Sequence, residues 1–107
     1  MGRTLLLVML MLGTPTPFTL VNGTGLPLQR IEVRGGEAKG AWKPLGPGQL
    51  SPGARGAVQA LGGEDCAFDI RASADGATFT WPAVNLCDAR SVTLNRGRDG
   101  TLWVDYD

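Results

Sequence analysis

Histidine is absent from the 107-residue chain. Its absence excludes Ser–His–Asp triads, imidazole acid–base catalysis, histidine zinc sites and a simple imidazole pH switch. An excess of charge of either sign is also missing, because ten Lys and Arg balance ten Asp and Glu. No basic stripe is available to hold a phosphate backbone, so nucleic acid is not an expected partner. Lysine is confined to Lys39 and Lys43, which leaves Ser51, Ser73 and Ser91 with poor prospects of an activating base. Cysteine is confined to Cys66 and Cys87, with no C-x-x-C spacing for redox chemistry. What the chain has in quantity is turn residues, 16 Gly and 7 Pro.

The one long apolar run is Leu5–Leu12, preceded by Arg3 and followed by Gly13-Thr14-Pro15-Thr16-Pro17. It is far shorter than the roughly 20 residues that a bilayer span needs. A positive start, a short apolar stretch and a polar, turn-forming end match a secretory signal peptide. Residues 1–17 are therefore expected to be an export signal and residues 18–107 a single domain. No stable membrane span is expected once the signal is removed. The abundance of Arg, Ala and Gly suits a GC-rich bacterial genome, so the periplasm or exterior of a bacterium is the expected compartment.

Period-2 alternation dominates the remainder, and no window holds a 3.6-residue period. Strands are predicted over Phe18–Asn22, Leu28–Arg34, Ala41–Leu45, Arg55–Leu61, Cys66–Ser73, Ala77–Trp81 continuing to Val84–Cys87, Ser91–Arg96 and Thr101–Tyr106. Pro44 confines the third to a sheet edge. Asp75-Gly76 and the Gly97–Gly100 segment read as hairpin turns. Asn22-Gly23-Thr24 reads as a turn after the first strand in preference to a glycosylation site. Seven or eight short strands with turns at close intervals describe an antiparallel β-sandwich or small barrel.

In an exported protein the two cysteines allow one pairing, Cys66 with Cys87, across the Asp75-Gly76 hairpin. A closed loop of about 22 residues stabilises by roughly 3 kcal/mol in the chain-entropy description.

Several blocks carry a resemblance. They are Phe18-Thr19-Leu20-Val21-Asn22-Gly23-Thr24-Gly25, Ile31 with Val33, Trp42 with Leu45-Gly46, and Ser51-Pro52-Gly53. Cys66-Ala67-Phe68-Asp69-Ile70-Arg71, Asp75-Gly76 and Val84-Asn85-Leu86-Cys87-Asp88 follow. Together they resemble a group of small exported bacterial single-disulfide β-sandwiches. The resemblance implies fold and compartment, and no activity. Some members carry the name argininosuccinate lyase, which this chain does not support, since those enzymes are long, helical and oligomeric.

Carboxylates are the acid–base groups left. Asp69 beside Arg71, and Asp88 beside Cys87 and Arg90, make a carboxylate-dependent hydrolase the alternative reading, which requires the two carboxylates to face each other across a cleft. The bland expectation is two local ion pairs, Asp69–Arg71 and Asp88–Arg90. Asp75-Gly76, Asp99-Gly100 and Asp105-x-Asp107 lack a calcium-loop pattern, so neither metal nor cofactor is expected. Trp81 shares an inward line with Phe79, whereas Trp42, Trp103 and the Gly46–Gly53 loop with Gln49 and Ser51 form the candidate binding surface. The expected function is a non-enzymatic, exported binding or envelope module with a protein or glycan ligand. A small protease inhibitor, presenting the 46–53 loop, is a further alternative.

Overall fold

The computed structural model describes residues 16–35, 40–63 and 65–107; the core of the expected signal, residues 1–15, lies outside them. Eight strands form in chain order: β1 Phe18–Gly23, β2 Gln29–Gly35, β3 Lys43–Pro44, β4 Arg55–Val58, β5 Ala67–Ala74, β6 Ala77–Asn85, β7 Ser91–Arg96 and β8 Leu102–Tyr106. They make two four-stranded sheets, β4-β1-β7-β8 and β3-β2-β5-β6. Every pairing is antiparallel except that of β1 with β7, which is parallel. The protein is an all-β sandwich.

The alternation read from the sequence sets the core. Phe68, Ile70, Ala72 and Ala74 of β5 meet Phe18 and Leu20 of β1, Val92 and Leu94 of β7, and Trp81 and Val84 of β6. Trp81 is 1% exposed, and its indole N–H donates to the Asn95 carbonyl of the opposite sheet at 3.0 Å. The largest core side chain is thereby also a polar tie between the layers. At the same end, the Arg96 guanidinium lies 5.5 Å from the Phe79 ring centre, one residue on each sheet.

The β5–β6 hairpin turns at Asp75-Gly76, with φ of 51° and 76°. Two consecutive positive φ values make the primed turn whose twist matches a two-residue hairpin. The turn brings Cys66 and Cys87 together with 5.2 Å between their Cα atoms, and the disulfide forms.

Two irregularities depart from simple alternation. Leu28 is expected on the side of Arg30, Glu32 and Arg34, yet it is buried with Ile31 and Val33. A bulge between Gln29 and Glu32, with Arg30 at φ 51°, inserts one residue and changes the parity of the strand. In β6 a second shift lies opposite Phe68–Ile70, with Ala83 at φ 53°; it joins the two predicted segments across Pro82 into one strand.

Asn22 ends up inside the fold and not in an exposed turn. Its amide donates to the carbonyls of Leu26 at 2.6 Å and Leu50 at 2.9 Å, and its carbonyl accepts from the N–H and hydroxyl of Thr24 at 3.0 and 2.7 Å. Every hydrogen-bonding position of the side chain is filled, which is what makes a fully buried amide tolerable. The same burial removes Asn22 from consideration as a glycan acceptor.

Candidate functional site

The outward residues of β2 and β5 are charged and complementary. The ladder sets Arg34 opposite Asp69 and Glu32 opposite Arg71. Ion pairs form along both rungs, Arg34 Nε to Asp69 Oδ2 at 3.3 Å and Arg71 Nε to Glu32 Oε1 at 2.8 Å. These cross-strand pairs replace the expected local ones. Asp69 and Arg71 are two residues apart on one strand, so each meets the neighbouring strand more closely than the other. Asp88 and Arg90 form no ion pair among the described residues.

Trp42, just before β3, lies across this lattice. The guanidinium carbons of Arg34 and Arg71 are 4.5 and 4.3 Å from its ring centre. Both cations are thus engaged by a carboxylate and by an aromatic ring, and Trp42 is half-buried. Beside it a hollow of about 420 Å³ has Val33, Leu61 and Phe68 among its apolar walls and Arg34, Lys43 and Asp65 among its polar ones.

Asp69 is spent within this arrangement. Its Oδ2 faces Arg34, and its Oδ1 accepts the N–H of Ala83, the residue freed by the β6 bulge, at 3.0 Å. Asp88 is exposed and lines a different hollow with Asn85, Cys87, Ala89, Tyr106 and Asp107. The structure therefore does not bring the two carboxylates to one cleft. No group of three or more metal-ligating side chains gathers among the described residues.

The Gly46–Gly53 loop is laid along β2. Leu28 and Leu50 exchange backbone hydrogen bonds at 2.9 Å, Ile31 donates to Gly48 at 3.0 Å, and Leu50 is buried. Pro47 packs so tightly on Gly56 that a side chain there would collide with its ring. Gln49 and Ser51 are exposed and border a hollow of about 370 Å³ with Gln29 and Leu50.

On the other sheet, Leu102 and Val104 of β8 face the core and Trp103 faces out, 45% exposed. On the same outer face Asn95 lies directly opposite Trp103 with Gly23 of β1 beyond it, and Thr93 with Val21, then Ser91 with Thr19, follow further along the ladder. This face carries Arg55 on the β4 edge and both Asp105 and Asp107 along the β8 edge, Asp107 standing opposite Ser91 and Asp105 accepting from the Asn95 amide at 2.9 Å. The result is a hydroxyl- and amide-bearing surface, acidic along its β8 edge, beside a protruding indole.

The polar roles of Arg34, Glu32 and Tyr106 were not legible beforehand. Alternating opposite charges on β2 and β5 were the available signal for the first two, but pairing needs the register. Nothing local marks Tyr106, whose hydroxyl accepts the Asn85 N–H at 3.0 Å from the other sheet.

Fold and site together define a single-disulfide all-β sandwich with two unlike outer faces. No family model matches the chain, and no curated protein matches it. Among solved structures, the NMR structure of a protein from Eubacterium rectale is similar, with a TM-score of 0.59 and 17% identity. The similarity covers 87% of this chain and 88% of that one. At that identity the likeness is one of fold.

Proposed function

We propose that the chain is an exported, non-enzymatic binding module of the bacterial envelope that docks a glycan on the Trp103 face. The carrying observation is the exposed indole of Trp103 on a sheet surface where Asn95 lies opposite it and Thr93 follows along the ladder. A sugar ring offers C–H bonds to an aromatic plane and hydroxyls to surrounding side-chain donors and acceptors, so this pairing of groups suits it. The disulfide supports an oxidising compartment, and no helix among the described residues is long and apolar enough to cross a membrane. The non-enzymatic part is supported by Asp69 and Asp88 lying apart, the first bonded to Arg34 and the Ala83 N–H and the second lining a separate hollow.

Soluble envelope oligosaccharides titrated into the protein should shift the tryptophan fluorescence, and Trp103→Ala should abolish that response while Trp42→Ala keeps it. A response that survives Trp103→Ala would refute the assignment of the face; silence to every oligosaccharide would refute the ligand class.

A further inference from the structure

The outer edge of β8 is backbone that no other strand among the described residues uses. In the β7–β8 ladder, Thr93↔Asp105 and Asn95↔Trp103 alternate with Val92↔Tyr106, Leu94↔Val104 and Arg96↔Leu102. The ladder's ends decide which set is bonded. Ser91 and Asp107 donate to each other's carbonyls at 3.2 and 3.0 Å, and Gly97 donates to the Thr101 carbonyl at 2.7 Å. Alternation then gives Trp103 and Asp105 to β7 and turns the N–H and C=O of Leu102, Val104 and Tyr106 outward. Among the described residues no strand pairs with β8 on that side.

The other three edges are defended. β3 is two residues long and ends in Pro44. β4 is four residues long, with Pro47 of the neighbouring loop packed on Gly56. β6 carries Pro82, gives its Ala83 N–H to Asp69 and its Asn85 N–H to the Tyr106 hydroxyl. Proline, brevity, bulges and covering side chains are the usual means of blocking edge-to-edge pairing. β8, reading Leu-Trp-Val-Asp-Tyr, has no proline, no lysine and no bulge, and Leu102 and Val104 are only half-buried.

We propose that β8 is a self-association edge, pairing antiparallel with the β8 of a second copy about a two-fold axis at Val104. The outward set is centred on Val104, so it is its own complement under that rotation, as an isologous contact requires. Leu102 meets the second copy's Tyr106 and Val104 meets Val104, with about six new backbone hydrogen bonds. Trp103 falls opposite Asp105, so no carboxylate faces a carboxylate. Loss of Arg3 with the expected signal shifts the ten-to-ten charge balance of the chain by a single charge, so long-range repulsion between copies is slight. The half-buried Leu102 and Val104 continue into the same residues of the second copy, closing the edge of both cores. The two Trp103 side chains then share one outer face of a continuous sheet. This pairing stands independently of the glycan reading.

Sedimentation of the purified, oxidised protein should show a dimer at about 100 μM that dissociates on dilution. Amide exchange should slow with concentration at Leu102, Val104 and Tyr106. Val104→Pro removes an N–H that β7 does not use, so it should give a folded monomer with the β7 amides still protected. Trp103→Glu, which leaves the backbone untouched and sets a carboxylate opposite Asp105, should weaken the dimer about tenfold; it decides the matter should the proline variant fail to fold. A monomer persisting to about 1 mM overturns the proposal, as does a dimer indifferent to Trp103→Glu. Protection of the three amides only when an extended peptide from another protein is added would overturn it in favour of a different partner.

Discussion

The two sheets of the sandwich have the same strand count and opposite characters. The β3-β2-β5-β6 sheet has two register shifts, the disulfide at the end of its long hairpin, and an outer face closed by two ion pairs beneath Trp42. The β4-β1-β7-β8 sheet pairs without a register shift, and its outer face has no ion pair among the described residues and is open around Trp103. The bulges in the first sheet are part of its closure. One brings Leu28 into the core, and the other aims the Ala83 N–H at Asp69. Regular pairing in the second leaves the Trp103 indole exposed, while the Asn95 amide is held by Asp105 on the same face. Two tryptophans on outer surfaces thus mean different things: Trp42 is spent on the fold and Trp103 is available.

The largest effect should come from loosening the closed sheet at its staple. Cys87→Ser removes the bridge across a 21-residue separation and should cost about 3 kcal/mol, lowering the melting temperature by well over 10 °C for a domain this small. An unchanged melting temperature would mean that the closed sheet holds without its covalent tie. Next comes the roof of that sheet. Trp42→Ala forfeits contact with both Arg34 and Arg71 and should destabilise by about 1–2 kcal/mol in urea unfolding. Trp103→Ala, on the open face, should change stability by no more than about 0.5 kcal/mol. Equal costs at the two positions would erase the distinction between the faces.

Much of the frame was legible because its signals are local. Asp75-Gly76 announces its turn, Phe68, Ile70 and Ala72 announce their buried line, and two cysteines in an all-β chain leave one bridge. The parallel pairing of β1 with β7 was not legible, since nothing in Thr19–Gly23 or Ser91–Asn95 records which distant strand lies alongside. Nor was the bulge at Arg30, because a non-glycine residue at positive φ carries no local mark and inverts the parity on which the reading rests. Of the candidate surface, Trp103 could be read as outward if Leu102 faced in, and it does. Trp42 required the register that sets Arg34 and Arg71 on adjacent strands beneath it.

The smallest expected effect tests how open the regular sheet is at the β7–β8 hairpin. The Asp99 carboxylate accepts the backbone N–H of Thr101 at 3.0 Å, and this bond, followed by the Thr101 side chain, holds its pKa below the ordinary 3.8. A folded-state pKa that is depressed means the charged form is favoured by folding. Its contribution is therefore complete above about pH 4, where the unfolded carboxylate is also charged, and is lost as the pH falls through the folded value. Gly97 accommodates the arrangement, because a Cβ there would lie 2.9 Å from Asp99 Oδ1. Carboxyl NMR titration should place the Asp99 inflection below 3.8, with the Thr101 amide resonance moving in step. Because the group is fully exposed, salt should shrink the shift and the melting temperature should hardly respond. An inflection at or above 3.8 would show the hairpin tip to be unconstrained. That result would extend the openness of the Trp103 face to the turn that presents it, and would leave β8 held by its ladder to β7, its core contacts and the Tyr106 hydroxyl.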